Sequence, residues 1–306
     1  MLLSSEKRYF FIGTLSGILA NFLLGVSSIF WKSIGSLNAV VLVGYRIYLS
    51  LLLVFLVVCV CKDVRRFYSQ LTFRLLVIHV FAAMLIAVNW GVFIWASIHG
   101  RVLESSLGYL IAPILSIATG IVVYKESVTV CKTIAVIVVM IAVVWLFVLS
   151  NELDMRVYLS IGVSWGVYSC LKKMTTLNVF SGLLLESTVL AVLYSLILFC
   201  SDLSMAIPVE FELWRTLLLF SCGVVSIVPL ALFSLSAKRL SGTSMGLLQF
   251  VLPVTQFFVA IMIYKQSLSM VIMFVLLAVM SALLLVVLEP VLKIILVKNM
   301  GERHGA

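Results

Sequence analysis

Residues 104–127 read ESSLGYLIAPILSIATGIVVYKES, an apolar run of membrane length with Pro113 near its middle and Tyr124-Lys125-Glu126-Ser127 at its end. The pattern returns in the second half of the chain. There the sequence reads Gln249-Phe250-Val251-Leu252-Pro253 and closes on Tyr264-Lys265-Gln266-Ser267. The offset that carries Pro113 onto Pro253 also sets Phe93 on Phe233 and Arg46 on Glu186. An offset larger by one sets Gly25-Val26-Ser27-Ser28 and Lys32 on Gly166-Val167-Tyr168-Ser169 and Lys173. A repeat of this period is half of the chain rather than a small solenoid unit.

Composition sets the medium. The chain is 64% hydrophobic and 11% charged, with a mean hydropathy of +1.27, which excludes a water-soluble domain. The net charge of +9 sits in short clusters between apolar runs, as in cytoplasmic loops facing anionic lipid, so no nucleic-acid partner is expected. The six cysteines form no CxxC pair and no His/Cys cluster has metal spacing. They read as small packing residues, and no disulfide, metal or cofactor is expected. Lys7-Arg8 resembles the start of a signal peptide, but the apolar run behind it is too long and lacks a small-residue exit site. It reads as the first span.

The expected fold is an all-α integral membrane protein. Ten apolar segments can be marked, near 9–31, 38–60, 74–98, 104–124, 130–149, 157–174, 180–200, 214–236, 243–263 and 268–288. The sixth is the most polar and ends at Lys172-Lys173. Alternating the connections places fifteen Lys and Arg on one side and five on the other, with Arg46 inside a span, so both termini face the cytoplasm. Each repeat holds five spans, an odd number, so the second must enter the membrane from the opposite side. The units are 1–150, 151–290 in inverted orientation, and a cytoplasmic tail 291–306 ending loosely. Inverted repeats with a site at their interface are a recurring transporter architecture.

Charged and polar residues inside apolar spans are costly, so each needs a reason. Arg46 and Glu186 are either substrate or proton groups or structural ion-pair partners, and a direct pair between them is not implied. Asn21 and Lys32 extend the glycine stripe of span one beyond what close packing needs. Trp165 stands on the matching stripe of span six, and Tyr168 lies beside it at the position paired with Ser27. Span three offers Asn89, Trp90 and Phe93, with His99 near its outer end as a proton-site candidate and His79 as an interfacial histidine. Tyr109 shares a face with Ser105 and Ser116, and Glu104 stands at the outer mouth. Gln249 and Gln256 answer from span nine, with Phe233 from span eight. Pro113 and Pro253 free backbone carbonyls and are the expected bending points.

At LESSLGYLIAP (103–113), NWGVFIWA (89–96), MGLLQFVLPVTQF (245–257), WKSIGSLNAVVLVGYRIYLS (31–50) and GLLLES (182–187) the chain resembles the RarD-type branch of the EamA-domain, drug/metabolite transporter superfamily. The resemblance implies ten helices as two inverted five-helix repeats around a central cavity. Glu126 matches the acidic residue that ends the fourth helix in such proteins, while Gln266 departs from it. No residue of span one matches the proton-binding glutamate of the small multidrug members. Relatives carry amino acids, S-adenosylmethionine and sugar phosphates.

The expected function is secondary active transport of a small amphipathic, amino-acid-like or S-adenosylmethionine-like solute. The alternatives are a drug exporter of the same fold and a passive pore. The expected partners are that solute and membrane lipid, with a proton or an exchanged metabolite driving transport and a monomer or homodimer as the assembly. An intramembrane enzyme is disfavoured, because the chain lacks HExxH, a paired-aspartate arrangement and a facing Ser/His set.

Overall fold

The computed structural model of the chain describes residues 5–62, 64–149, 154–207, 211–267 and 269–303, and every regular element among them is α-helical. In order these are α1 (Ser5–Ser33), α2 (Ala39–Val60), α3 (Val64–Gln70), α4 (Phe73–Ile98), α5 (Val102–Val122), α6 (Val130–Leu149), α7 (Met155–Met174), α8 (Val179–Phe199), α9 (Leu213–Arg239), α10 (Gly242–Gln249), α11 (Val251–Met262) and α12 (Met270–Arg303). Helices are the expected outcome where no water is at hand to satisfy the backbone. Their starts are set by polar side chains that accept from free amides. Asn38 accepts from Val40 N at 2.9 Å, and its counterpart in the second half, Asn178, accepts from Ser181 N at 2.7 Å.

Seven described helical segments, counting α10 and α11 as one, are long and apolar enough to cross a membrane; α6 and α12 contribute shorter apolar stretches. The most polar of the expected spans, α7, is not among the seven, and one face of it is buried against its neighbours. Two expectations are corrected. The ninth span is two helices that meet at Phe250, where Pro253 has no N–H to return to the Gln249 carbonyl. Pro113, by contrast, sits inside an unbroken α5. α12 continues beyond Pro290 to Arg303, and the loose end expected of the tail falls on residues 304–306, outside the described residues. The short helix α3, between the second and third spans, has no counterpart among the ten apolar segments.

The packing maps onto itself when each helix is exchanged for its counterpart in the other repeat. α1 packs on α9 and α4 on α7; α5 packs on α7 and α1 on α10 and α11; α2 packs on α9 and α4 on α8. The pairs α2–α8, α5 with α10–α11, and α6–α12 are their own images. Single residues repeat the rule. Lys32 Nζ lies 4.1 Å from the Tyr264 ring centroid and Lys173 Nζ 5.2 Å from that of Tyr124. The first of these pairs sits beside the start of α5 and the second at its end, so equivalent contacts fall at opposite ends of one membrane-length helix. α5 and α11, which lead into Tyr124 and Tyr264, therefore run in opposite directions.

Close approach carries this packing. A Cβ on Gly162 would lie 2.6 Å from the Gly108 carbonyl oxygen and 2.8 Å from Ile111 Cβ, whereas one on Gly91 would meet nothing within 4 Å. Gly162→Ala is expected to cost about 1–3 kcal/mol by overpacking α5 on α7. Gly91→Ala is expected to be neutral or to gain up to about 1 kcal/mol through helix propensity. Thermal unfolding in detergent checks this, and Gly162→Ala melting at or above Gly91→Ala contradicts it.

Candidate functional site

The space between the halves, expected as an open hollow, is filled. Trp165 stands at its centre. Its ring centroid is 4.8 Å from Phe233, 5.4 Å from Tyr168 and 6.1 Å from Tyr109, and Tyr109 in turn is 6.0 Å from Phe93. All five rings are buried. Large aromatic side chains from facing helices simply occupy the volume that the polar pattern had reserved for solvent. The filling is not hydrocarbon-like, however. Tyr109 donates to Asn89 Oδ1 at 3.0 Å, and Asn89 Nδ2 donates to Ile161 O and Ser164 Oγ, each at 3.3 Å. Gln249 donates to Ser116 at 2.7 Å, and Ser116 pairs with Ser169 at 2.8 Å. Ser105 donates to Gln256 Oε1 at 3.3 Å. The Gln249 Oε1 and Gln256 Nε2 atoms are buried without partners. An apolar groove of about 500 Å³ on the lipid-facing seam of α2, α4, α7 and α8, lined by Val43, Ile47, Val92 and Leu190 among others, touches none of the expected substrate residues.

Two buried charges flank this centre in equivalent positions of α2 and α8. On α8, Glu186 is matched completely. Its Oε1 meets His79 Nδ1 at 2.7 Å and Lys172 Nζ at 3.0 Å, and its Oε2 accepts from Tyr168 at 3.1 Å. His79 also bonds Thr175 at 2.7 Å. His79 is thus not an interfacial residue but a buried partner of Glu186, given room by Gly182, where a Cβ would lie 2.9 Å from the imidazole. On α2, Arg46 is 3% exposed and lies between two indoles, 3.8 Å from the Trp90 centroid and 5.0 Å from that of Trp31. No carboxylate among the described residues lies within ion-pair distance. Its Nε and Nη1 have no hydrogen-bond partner, nor has Trp31 Nε1. Burying an unpaired charge costs several kcal/mol, and each unmatched polar group adds about 1–3 kcal/mol. Two desolvated cation–π contacts return about 2 kcal/mol each, so the rings alone do not offset the burial of this arginine.

The other expected residues lie apart. Asn21 is fully buried but turns back on its own helix, donating to Gly17 O at 2.7 Å and leaving Oδ1 unmatched. Lys32 does not line the interior; α1 ends at Ser33, which leaves the ammonium exposed over Tyr264. His99 caps α4, exposed and stacked on Trp95 at 4.8 Å. Glu104 is buried at the start of α5, 3.9 Å from Arg101.

At the two ends of the bundle stand matching clasps. Lys125 and Lys265 take left-handed φ values of 52° and 54°, which stop α5 and α11 and turn the next side chain across the interface. Glu126 accepts from Gly242 N at 2.6 Å and from Thr243 N and Thr243 Oγ1 at 2.8 Å each, covering the free amides at the start of α10. Gln266 accepts from Leu103 N at 3.1 Å at the start of α5, and its Nε2 donates to Gly100 O at 2.6 Å. The repeated Tyr-Lys-x-Ser is the sequence signal for both clasps. Burial works against the Glu126 charge, but the Thr243 and Gly242 amides, the Thr243 hydroxyl and the Lys173 ammonium outweigh it and hold the carboxyl below its ordinary value. A depressed carboxyl stabilises the fold above its ordinary pKa, and the contribution is lost as pH falls through the lower, folded value. Glu126→Gln should therefore cost about 1–2 kcal/mol at neutral pH, after allowing for its partial exposure. The gap from the wild type should close as pH drops below the ordinary carboxylate range. Melting curves over pH read this, and a gap that does not change with pH contradicts it.

The chain matches no protein-family profile. It is 31% identical over 252 residues to the uncharacterized transporter YojE of Bacillus subtilis, covering 80% of this chain and 83% of that one. To Protein RarD of Escherichia coli it is 27% identical over 261 residues, covering 83% and 86%, and to Protein RarD of Streptomyces exfoliatus 28% over 259 residues, covering 83% and 81%. A solved crystal structure superposes with a TM-score of 0.66 at 14% identity over 90% of this chain and 96% of that one, a likeness of fold alone. With its apolar helices and these transporter relatives, the chain is a multi-pass integral membrane protein of the RarD-type branch of the drug/metabolite transporter superfamily.

Proposed function

We propose that the protein is an alternating-access carrier for a small amphipathic metabolite, amino-acid-like or S-adenosylmethionine-like. In this reading residues 1–150 and 151–290 form two inverted five-helix units with ten crossings, both termini are cytoplasmic, and the membrane is a bacterial inner membrane. No catalytic step is involved. The observation that carries the reading is the pair of clasps. A carrier needs two gates at opposite ends of one site, and the same clasp built twice in opposite orientations supplies them. Glu126 on the α10 amides closes one end and Gln266 on the α5 amide closes the other. With both shut and the centre filled by side chains, this conformation is read as the closed state between the two open ones. The break at Phe250 gives α10 and α11 a place to bend, while α5, unbroken at Pro113, moves as a rod. The side chains that part to admit solute are Trp90, Phe93, Tyr109, Trp165, Tyr168, Phe233, Gln249 and Gln256.

Protein reconstituted in liposomes is expected to show saturable uptake of labelled amino acids or S-adenosylmethionine, accelerated by unlabelled solute inside. Trp90→Ala and Gln249→Ala should each lower the rate about tenfold or more, the scale of losing a buried aromatic or hydrogen-bonding contact. Flux that rises linearly with concentration and shows no counterflow identifies a pore and overturns the reading. Full flux in both variants overturns the site.

A further inference from the structure

We infer that Arg46 anchors the carboxylate of the carried solute, so that the substrate class is a small carboxylate-bearing metabolite with a flat apolar body; this deepens the carrier reading and rests on it. The buried charge at the equivalent place in the other half, Glu186, is met by Lys172, His79 and Tyr168, so this register of the fold can neutralise its charge with the chain's own side chains. At Arg46 it does not. The unmatched atoms around it share one chemistry. Nε and Nη1 of the guanidinium and Nε1 of Trp31 are all donors, and the Ser50 hydroxyl one helical turn along is also unpartnered. A ligand made only of acceptors answers that set, and a carboxylate presents two oxygens in the plane that a guanidinium fork prefers. One unpaired positive charge is neutralised by a single carboxylate, whereas a phosphate dianion would leave a surplus negative charge buried.

The walls fit the rest of such a molecule. Trp31 and Trp90 hold the guanidinium by their ring faces, and Tyr109 with the Trp165 cluster lies beyond, ready to stack on a flat apolar group. Arg46 stands two turns into α2, about 10 Å along the helix, and is 3% exposed. That depth is out of reach of lipid headgroups, which leaves a free solute as the source of the anion.

The test uses purified full-length protein and two probes of nearly the same shape, the anion phenylacetate and its neutral amide phenylacetamide, with inorganic phosphate as a third arm. Phenylacetate is expected to raise the melting point and to alter the indole fluorescence of the wild type, with the amide and phosphate ineffective at equal concentration. In Arg46→Gln the phenylacetate affinity should fall about tenfold or more, the scale of a lost charge-assisted pair. Arg46→Lys, which keeps the charge but not the fork, should fall between the two. An amide or phosphate response equal to that of phenylacetate, no response to phenylacetate, or an undiminished response in Arg46→Gln overturns the inference. Should Arg46→Gln fail to fold, the acid and amide comparison on the wild type decides alone. Liposome counterflow separates the two readings. Phenylacetate binding without any counterflow defeats the carrier but keeps the anchor, and counterflow of a neutral solute undiminished in Arg46→Gln defeats the anchor but keeps the carrier.

Discussion

A helix begins with amides that have no partner in their own turn, and in this protein the starts of α5 and α10 are each met by a side chain from the opposite half. Glu126 reaches Gly242 and Thr243; Gln266 reaches Leu103. Each acceptor arrives by the same route, a left-handed lysine that ends its helix and throws the next residue sideways. Holding a non-glycine residue there costs about 1–2 kcal/mol, which the amide contacts offset. Because α5 starts at one clasp and ends at the other, these bonds hold α5 antiparallel to the α10–α11 segment.

The duplication has diverged most where charge is buried. Arg46 and Glu186 occupy the same register, and only Glu186 is matched within the chain. The ends diverge in the same manner, with a carboxylate at one clasp and an amide at the other. The two clasps thus carry different electrostatics, a titratable carboxyl at one and a neutral amide at the other, although their geometry is shared. The aromatic filling also differs position by position: Trp165 and Tyr168 of α7 have Leu24 and Ser27 as their counterparts on α1, so this stacked pair has no match in the first half.

Much of this was legible in the sequence. The constant offset between the proline-bearing spans, the Tyr-Lys-x-Ser pairs and the odd number of spans per repeat were enough to expect opposed halves, because backbone geometry and the membrane leave few alternatives. The roles of His79, Lys172 and Trp31 were not legible. His79 and Glu186 lie on different spans far apart in the chain, and an interfacial histidine has the same sequence neighbourhood as a buried one. Trp31 stands at a span end, where a tryptophan is ordinarily a belt residue, and only the fold brings its ring against Arg46. Lys32 failed in the opposite sense: its helical stripe pointed inward, but α1 stops one residue later. The filled centre was also beyond reach, because periodicity assigns residues to a face without saying whether the facing side chains meet. The two prolines look alike in sequence, yet only Pro253 goes with a break in its helix.

The most direct test of two opposed, separately opening ends is to lock each clasp. In a background with the six native cysteines replaced, Glu126→Cys with Thr243→Cys bridges one end, and Leu103→Cys with Gln266→Cys bridges the other. Either disulfide alone should stop counterflow in liposomes, reduction should restore it, and each lock should leave the opposite end reactive to a thiol reagent from its own side of the membrane. Undiminished counterflow with either lock closed, or both clasps reacting from the same side, would contradict the account.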